Sequence, residues 1–264
     1  MGRRPSVRAH AFLLVHGRPH ARTRGGAMTA EAVKAARMVA EAAARASLED
    51  VPRRVCEAVR DGLGVDGATL SLLTDTPSRQ LLAASDDAAL QLEEIQFTLL
   101  EGPCIAAAQT GEPVAVHDLR HDVTPWPLFG ALMREKLPQM TSVYALPLFF
   151  GDYVLGTVDL LALRPHALDE EDLAQASDVA DAVTAALMRT REMIITGSRA
   201  PDWEPRALVR AHWFDTARAV ATLVTRRGLS QEDALALMRA EAFRSGRSLA
   251  DITADVLRDA PGAA

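Results

Sequence analysis

Seven arginines fall between positions 210 and 247: Arg210, Arg218, Arg226, Arg227, Arg239, Arg244 and Arg247. A guanidinium is flat, permanently charged and rich in donors, so it can pair with phosphate oxygens or stack on an unpaired base. Such a cluster is a candidate surface for anionic groups; the plainer alternative is a solvated helical face. Cys104 follows Gly102 and Pro103 at an expected helix start, where free amides and the helix dipole favour the thiolate. A small buried cysteine packing there would leave the same pattern. His117 and His121 alternate with Asp118 and Asp122 and carry metal-ligating chemistry. Because Asp118 and Leu119 leave a strand for a loop, the two rings do not share a helical face, and the segment reads as solvated loop with no metal. Phe97, Cys104, Trp126, Phe129 and Tyr144 are candidates to line an apolar ligand pocket, against plain core packing. No Ser/His/Asp order, phosphate-cradling glycine loop or carboxylate pair stands out, so neither a catalytic centre nor a cofactor is expected.

The arginines must be carried by helices. Apolar residues recur at helical spacing from about residue 206 onward, and two turn signals divide the run into three. The first helix spans about 206–227 and stops at Gly228, which tolerates a left-handed backbone. Ser230, with Asp233 three residues on, caps the second, which keeps Ala234, Leu237, Met238 and Ala242 on one side and ends near Gly246. Ser248 with Asp251 starts the third, through Leu249, Ile252, Val256 and Leu257. A unit this short cannot bury a generous core alone, so it should lean on a partner subunit or a neighbouring domain.

The rest of the chain bounds what this unit can be attached to. With 264 residues, 48% hydrophobic and 24% charged, the composition is that of a soluble globular protein with room for one substantial domain and a small one. A formal net charge of -6 confines any nucleic-acid contact to a local patch. Cys56 and Cys104 form no Cys-x-x-Cys pair and suggest neither a disulfide framework nor zinc; a reducing cytoplasm fits. No apolar run approaches the roughly 20 residues of a membrane span. Residues 1–27 hold six arginines, three histidines and no acid. They read as a disordered basic extension, with Met28 an alternative start, rather than as a signal peptide.

Residues 28–195 alternate helical and strand character. An alanine-rich helix over 29–45 presents Val33, Ala36, Ala40 and Ala43 as a narrow stripe, and a second helix carries Val51, Val55, Val59 and Leu63 toward Gly64. Strands are expected at 68–73, 81–85, 114–116, 143–149 and 154–163, with Gly151-Asp152 as a hairpin turn. Helices are expected at 88–97, 105–109 and 128–136. The fold class is α+β: an antiparallel sheet flanked by helices, followed by a small all-α three-helix domain. Asp169 to Asp172 then open a long helix in which Leu173, Ala176, Ala180, Val183, Leu187, Thr190 and Ile194 step by three and four. That seam fits packing against the 29–45 helix, a parallel homodimer, or both in a four-helix bundle. Pro201 and Pro205 bound a hinge at 196–205.

Two sets of residues match known families. Glu101-Gly102-Pro103-Cys104, Thr110-Gly111, Pro113-Val114, Asp118-Leu119, Trp126-Pro127, Ala145-Leu146-Pro147-Leu148, Val154-Leu155-Gly156 and Pro165-His166 stand in the order of a GAF domain, which this region resembles. The resemblance implies a sensory module that holds a small, here unidentified, ligand or mediates dimerisation. Arg226-Arg227-Gly228-Leu229-Ser230, Leu237-Met238-Arg239 and Arg244 to Ile252 resemble the ANTAR domain, an RNA-binding output module of bacterial antitermination regulators. Val220, Ala221, Gly246, Ser248 and Thr253 depart from that family's usual lysine, glycine, asparagine, lysine and alanine. Together the resemblances imply a cytoplasmic dimer that senses a signal and binds nascent RNA stem-loops over 206–260. The alternative is a sensory or scaffold dimer whose degenerate ANTAR helices bind protein.

Overall fold

The computed structural model describes residues 29–47, 50–73, 79–188 and 208–259. Five antiparallel strands make the central sheet: β1 (Gly67–Leu73), β2 (Arg79–Ala84), β3 (Val114–Val116), β4 (Ser142–Phe150) and β5 (Tyr153–Ala162), in the order β2-β1-β5-β4-β3. The β4–β5 hairpin closes on Gly151, whose φ of 60° suits glycine. Strand β3 pairs only with Val143 to Ala145, so Pro147 falls beyond its end, where a missing amide costs no ladder bond to it. Gly156 lies against β1, and a Cβ there would stand 1.9 Å from the Ser71 carbonyl oxygen.

One sheet face packs against α1 (Ala30–Arg45), α2 (Val51–Leu63) and α6 (Glu170–Met188). Leu70, Tyr144, Leu146, Val158 and Leu160 supply the strand side of this core. The Tyr144 hydroxyl accepts the Leu168 amide at 3.1 Å, fixing the entry to α6. The opposite face packs against α3 (Asp87–Leu99), α4 (Pro103–Thr110) and α5 (Pro127–Lys136). Period-two alternation along β1, β4 and β5 decides which residue goes to which side.

One expectation about these helices needs correction, and one is met within the chain. In α1 the buried residues are Ala32, Ala35, Val39 and Ala43, while Val33 and Ala40 are exposed. An alanine-rich helix offers several equivalent faces, and the close approach of Gly62 to Ala35 selects this one. In α6 the residues Ala176, Ala180, Val183 and Leu187 do form a seam, and within this chain they pack in the core shared with α1 and α2. Thr190, Ile194 and the expected hinge at 196–205 lie outside the described residues.

The C-terminal unit consists of α7 (Leu208–Arg227), α8 (Gln231–Ser245) and α9 (Leu249–Arg258). Its ends form where local chemistry dictates. Gly228 and Gly246 take φ of 66° and 65°. Ser230 accepts the Asp233 amide, and Ser248 with Asp251 closes a reciprocal capping box. Ala219, Leu223, Ala234, Leu235, Met238, Ala242, Leu249 and Ile252 make the core, which Phe97 of α3 joins from outside the unit. Leu237, expected inside, is exposed, and Leu235 takes its place.

Candidate functional site

The end of α3 faces two ways. Gln96 turns toward the sheet: its amide donates to Asp159 Oδ2 at 2.7 Å, and its carbonyl accepts the Cys104 amide at 2.8 Å. This single side chain ties α3, α4 and β5 together, and Gly102 leaves room for it, since a Cβ there would come within 2.7 Å of Gln96 Oε1. Around it lie further buried polar groups. Ser71 Oγ and Thr157 Oγ1 are 3.1 Å apart, and Thr69 faces Asp159 across the β1–β5 register. Glu93, Cys104 and Asp159 bring one potential ligand atom each within 4.8 Å of one another. The sequence reading missed this cluster. Its one local signal is an acid, Asp159, in the middle of an apolar strand.

Phe97, next along, turns away from the sheet toward the C-terminal unit. Arg239 of α8 is 8% exposed. Its Nε donates to the Phe97 carbonyl at 3.0 Å, and its guanidinium carbon lies 4.7 Å from the centre of the Phe97 ring. Burial pulls its pKa down to about 10, so it remains a cation at neutral pH. Arg239 is therefore a docking residue between the two units, and its expected place on an open RNA face is corrected: the Phe97 ring occupies the surface that a phosphate or base would need.

The other arginines are placed differently. The Arg218 guanidinium donates to Asp215 at 3.0 Å and Arg226 to the Asp259 carbonyl at 2.9 Å. Arg244 grips Glu241 at 2.6 Å, and Arg247 reaches Asp255 at 2.6 Å. Arg244 holds the Glu241 carboxyl below the usual range, and Arg247 does the same to Asp255. Arg227 is exposed at the end of α7. Arg210 belongs to α7, and its side chain lies outside the described part. Five of the seven thus lie on the surface, and three of those five are engaged with a nearby acid.

The five residues expected to line one pocket are dispersed. Phe97 packs with the C-terminal helices, Tyr144 with the α1–α2–α6 core, and Trp126 edge-on against Phe129 at 6.2 Å in the core under α5. Cys104 lies with Ala107 and Ala145. The expectation of a shared aromatic lining fails because alternation on β4 sends Tyr144 to the opposite sheet face from Ala145. Both thiols are buried; Cys56 donates to the Ala68 carbonyl at 3.0 Å, and burial pushes its pKa well up. His117 and His121 diverge. His117 stacks on His166 at 5.2 Å, whereas His121 pairs with Asp118 at 2.8 Å in an exposed turn, as a solvated loop would.

A protein-family model for the GAF domain matches residues 45–188, more than half of the chain. The chain belongs to the GAF domain family. The matched region runs from the end of α1 to the end of α6, so the buried polar cluster and the docking face of α3 both belong to the GAF domain, and α7 to α9 follow it. No curated protein matches the chain. Among solved structures, the GAF domain from a phosphoenolpyruvate-protein phosphotransferase of Coxiella burnetii is 19% identical, with a TM-score of 0.49 over 61% of this chain and 95% of that one. The free methionine-R-sulfoxide reductase from Neisseria meningitidis, solved with its substrate, is 13% identical, with a TM-score of 0.46 over 64% and 99%. A phycocyanobilin-bound GAF domain from a cyanobacterial phytochrome is 15% identical, with a TM-score of 0.45 over 62% and 97%. Likeness this distant transfers no ligand or activity to this chain. No helix among the described residues is long and apolar enough to cross a membrane.

Proposed function

We propose that this chain is a cytoplasmic, dimeric regulator in which the GAF domain receives a signal and the C-terminal helices act as an ANTAR-like output. That output binds a stem-loop in nascent RNA and favours antitermination. The ANTAR-like residue pattern from Arg226 to Ile252 supports the output half. The observation that carries the coupling is the docking of α8 on α3, where adjacent residues face opposite ways: Gln96 toward the buried polar cluster and Phe97 toward Arg239. A signal that shifts α3 changes the footing of α8. A ligand acts only through different affinity for two such states, and the Arg239 contact is present in one of them. The reading includes no catalytic step and no cofactor.

A second reading, in which the output helices bind protein, draws on the ion pairs of Arg218, Arg244 and Arg247. It also draws on Val220, which packs half-buried against the helical core where the family has a lysine. Crosslinking the protein in its own cell and sequencing the attached RNA separates the two. Recurrent paired stem-loops support the RNA reading; recovery of protein partners with no enriched RNA supports the second and removes the first.

A further inference from the structure

Where α3 and α5 meet the turn between α8 and α9, a cleft of about 140 Å³ opens to solvent. A cavity of about 150 Å³ is known to hold a benzene ring, so this one, open to solvent, takes one ring of a planar base while the rest of the base projects outward. Three features say what kind. Leu132 gives the cleft an apolar wall, and Phe243, on the lining, is 56% exposed, a ring face on which another ring can stack. Glu94 also lines it, and Glu94 Oε1 is buried without a hydrogen-bond partner. The Glu94 carboxylate is thus not saturated within the protein, and an occupant that brings an N–H donor to its cleft side is favoured. Glu135, Lys136 and Arg247 complete the charge. Two acids and two bases disfavour a polyanion and suit a ring with one phosphate, taken by Lys136 and Arg247.

We infer that the cleft is a nucleobase site. It takes the amino-bearing edge of cytosine, adenine or guanine against Glu94, with the ring stacked on Phe243. Uracil has no amino group and offers only its N3–H, set between two carbonyl oxygens that repel a carboxylate, so it is the base the site holds least well. The base comes either from an unpaired position in a bound RNA, which rests on the RNA-binding reading above, or from a free nucleotide, which does not. In both cases the occupant touches the GAF domain and the output helices at once.

Calorimetric titration of the full chain tests this with cytidine, adenosine, guanosine and uridine monophosphates. A parallel arm uses stem-loop RNAs that differ in one unpaired loop base. Amino-bearing bases should bind at least about tenfold more tightly than uracil, and Phe243→Ala should weaken them by roughly tenfold. Glu94→Met, which keeps the side-chain length and removes the carboxylate, should erase the preference over uracil. Discrimination among free nucleotides with no stem-loop binding upholds the site and removes the RNA reading. Stem-loops that bind equally whatever the loop base, and equally in both variants, remove the site and leave the RNA reading standing. Equal binding of uridine and cytidine monophosphates, or binding in neither arm, overturns the proposal.

Discussion

Burial lowers the Arg239 pKa from its ordinary value to about 10, so at neutral pH a charge is held where a carbonyl and a ring face answer it. Because the folded value lies below the unfolded one, the charged form is the penalised form. The cost is present in full at neutral pH and fades only as pH rises through about 10. Arg239→Met keeps most of the volume and removes the charge. Replacing buried ions with apolar groups of similar size is commonly neutral or stabilising, so its melting temperature should equal or exceed that of the natural chain. Arg239→Ala loses the same donor but also leaves a void, and should cost about 2–3 kcal/mol, read as faster hydrogen exchange in α8. A second residue sets how much cation is free. Arg247 beside Asp255 holds that carboxyl below its usual range, with Arg258 adding to the effect. The pairing therefore persists above the ordinary carboxylate pKa and is lost as pH falls through the lowered one. Asp255→Asn should release Arg247 and Arg258 and, at fixed low salt, tighten stem-loop binding severalfold; an unchanged or weaker affinity would count against arginine contact there.

At the scale of elements, the Ser248 hydroxyl caps α9. Ser248→Ala should cost about 1 kcal/mol, confined to the C-terminal helices in a melting curve resolved by domain. Gly156→Ala presses a methyl group onto the Ser71 carbonyl of the neighbouring strand. It should cost about 3 kcal/mol and melt the sheet, because the backbone of β1 cannot give way as a side chain can. Turn and cap chemistry is local, which is why Gly151, Gly228, Ser230, Gly246 and Ser248 were legible from the sequence, along with all five strands. Facing was less legible. In α1 several alanine faces compete. In α8 the burial of Arg239 and exposure of Leu237 reverse the apolar pattern, because the helix docks on a surface made by α3. The Glu93–Gln96–Asp159 cluster left only Asp159 as a signal, since its members meet only after β5 has paired with β1 and α3 has packed over the sheet.

Across the whole molecule, the three C-terminal helices complete their core with Phe97 and so depend on the GAF domain, as their short length anticipated. With a net charge of -6, the chain as a whole repels nucleic acid, and the proposed RNA contact rests on the few surface arginines of this unit. The most direct measurement is a titration of the full chain with a paired stem-loop RNA at several salt concentrations. The account predicts binding at low salt that weakens as salt rises, with a slope of about -2 to -4 in log affinity against log salt, the signature of a few phosphates neutralised. Absence of binding at the lowest salt, or an affinity indifferent to salt, would contradict it.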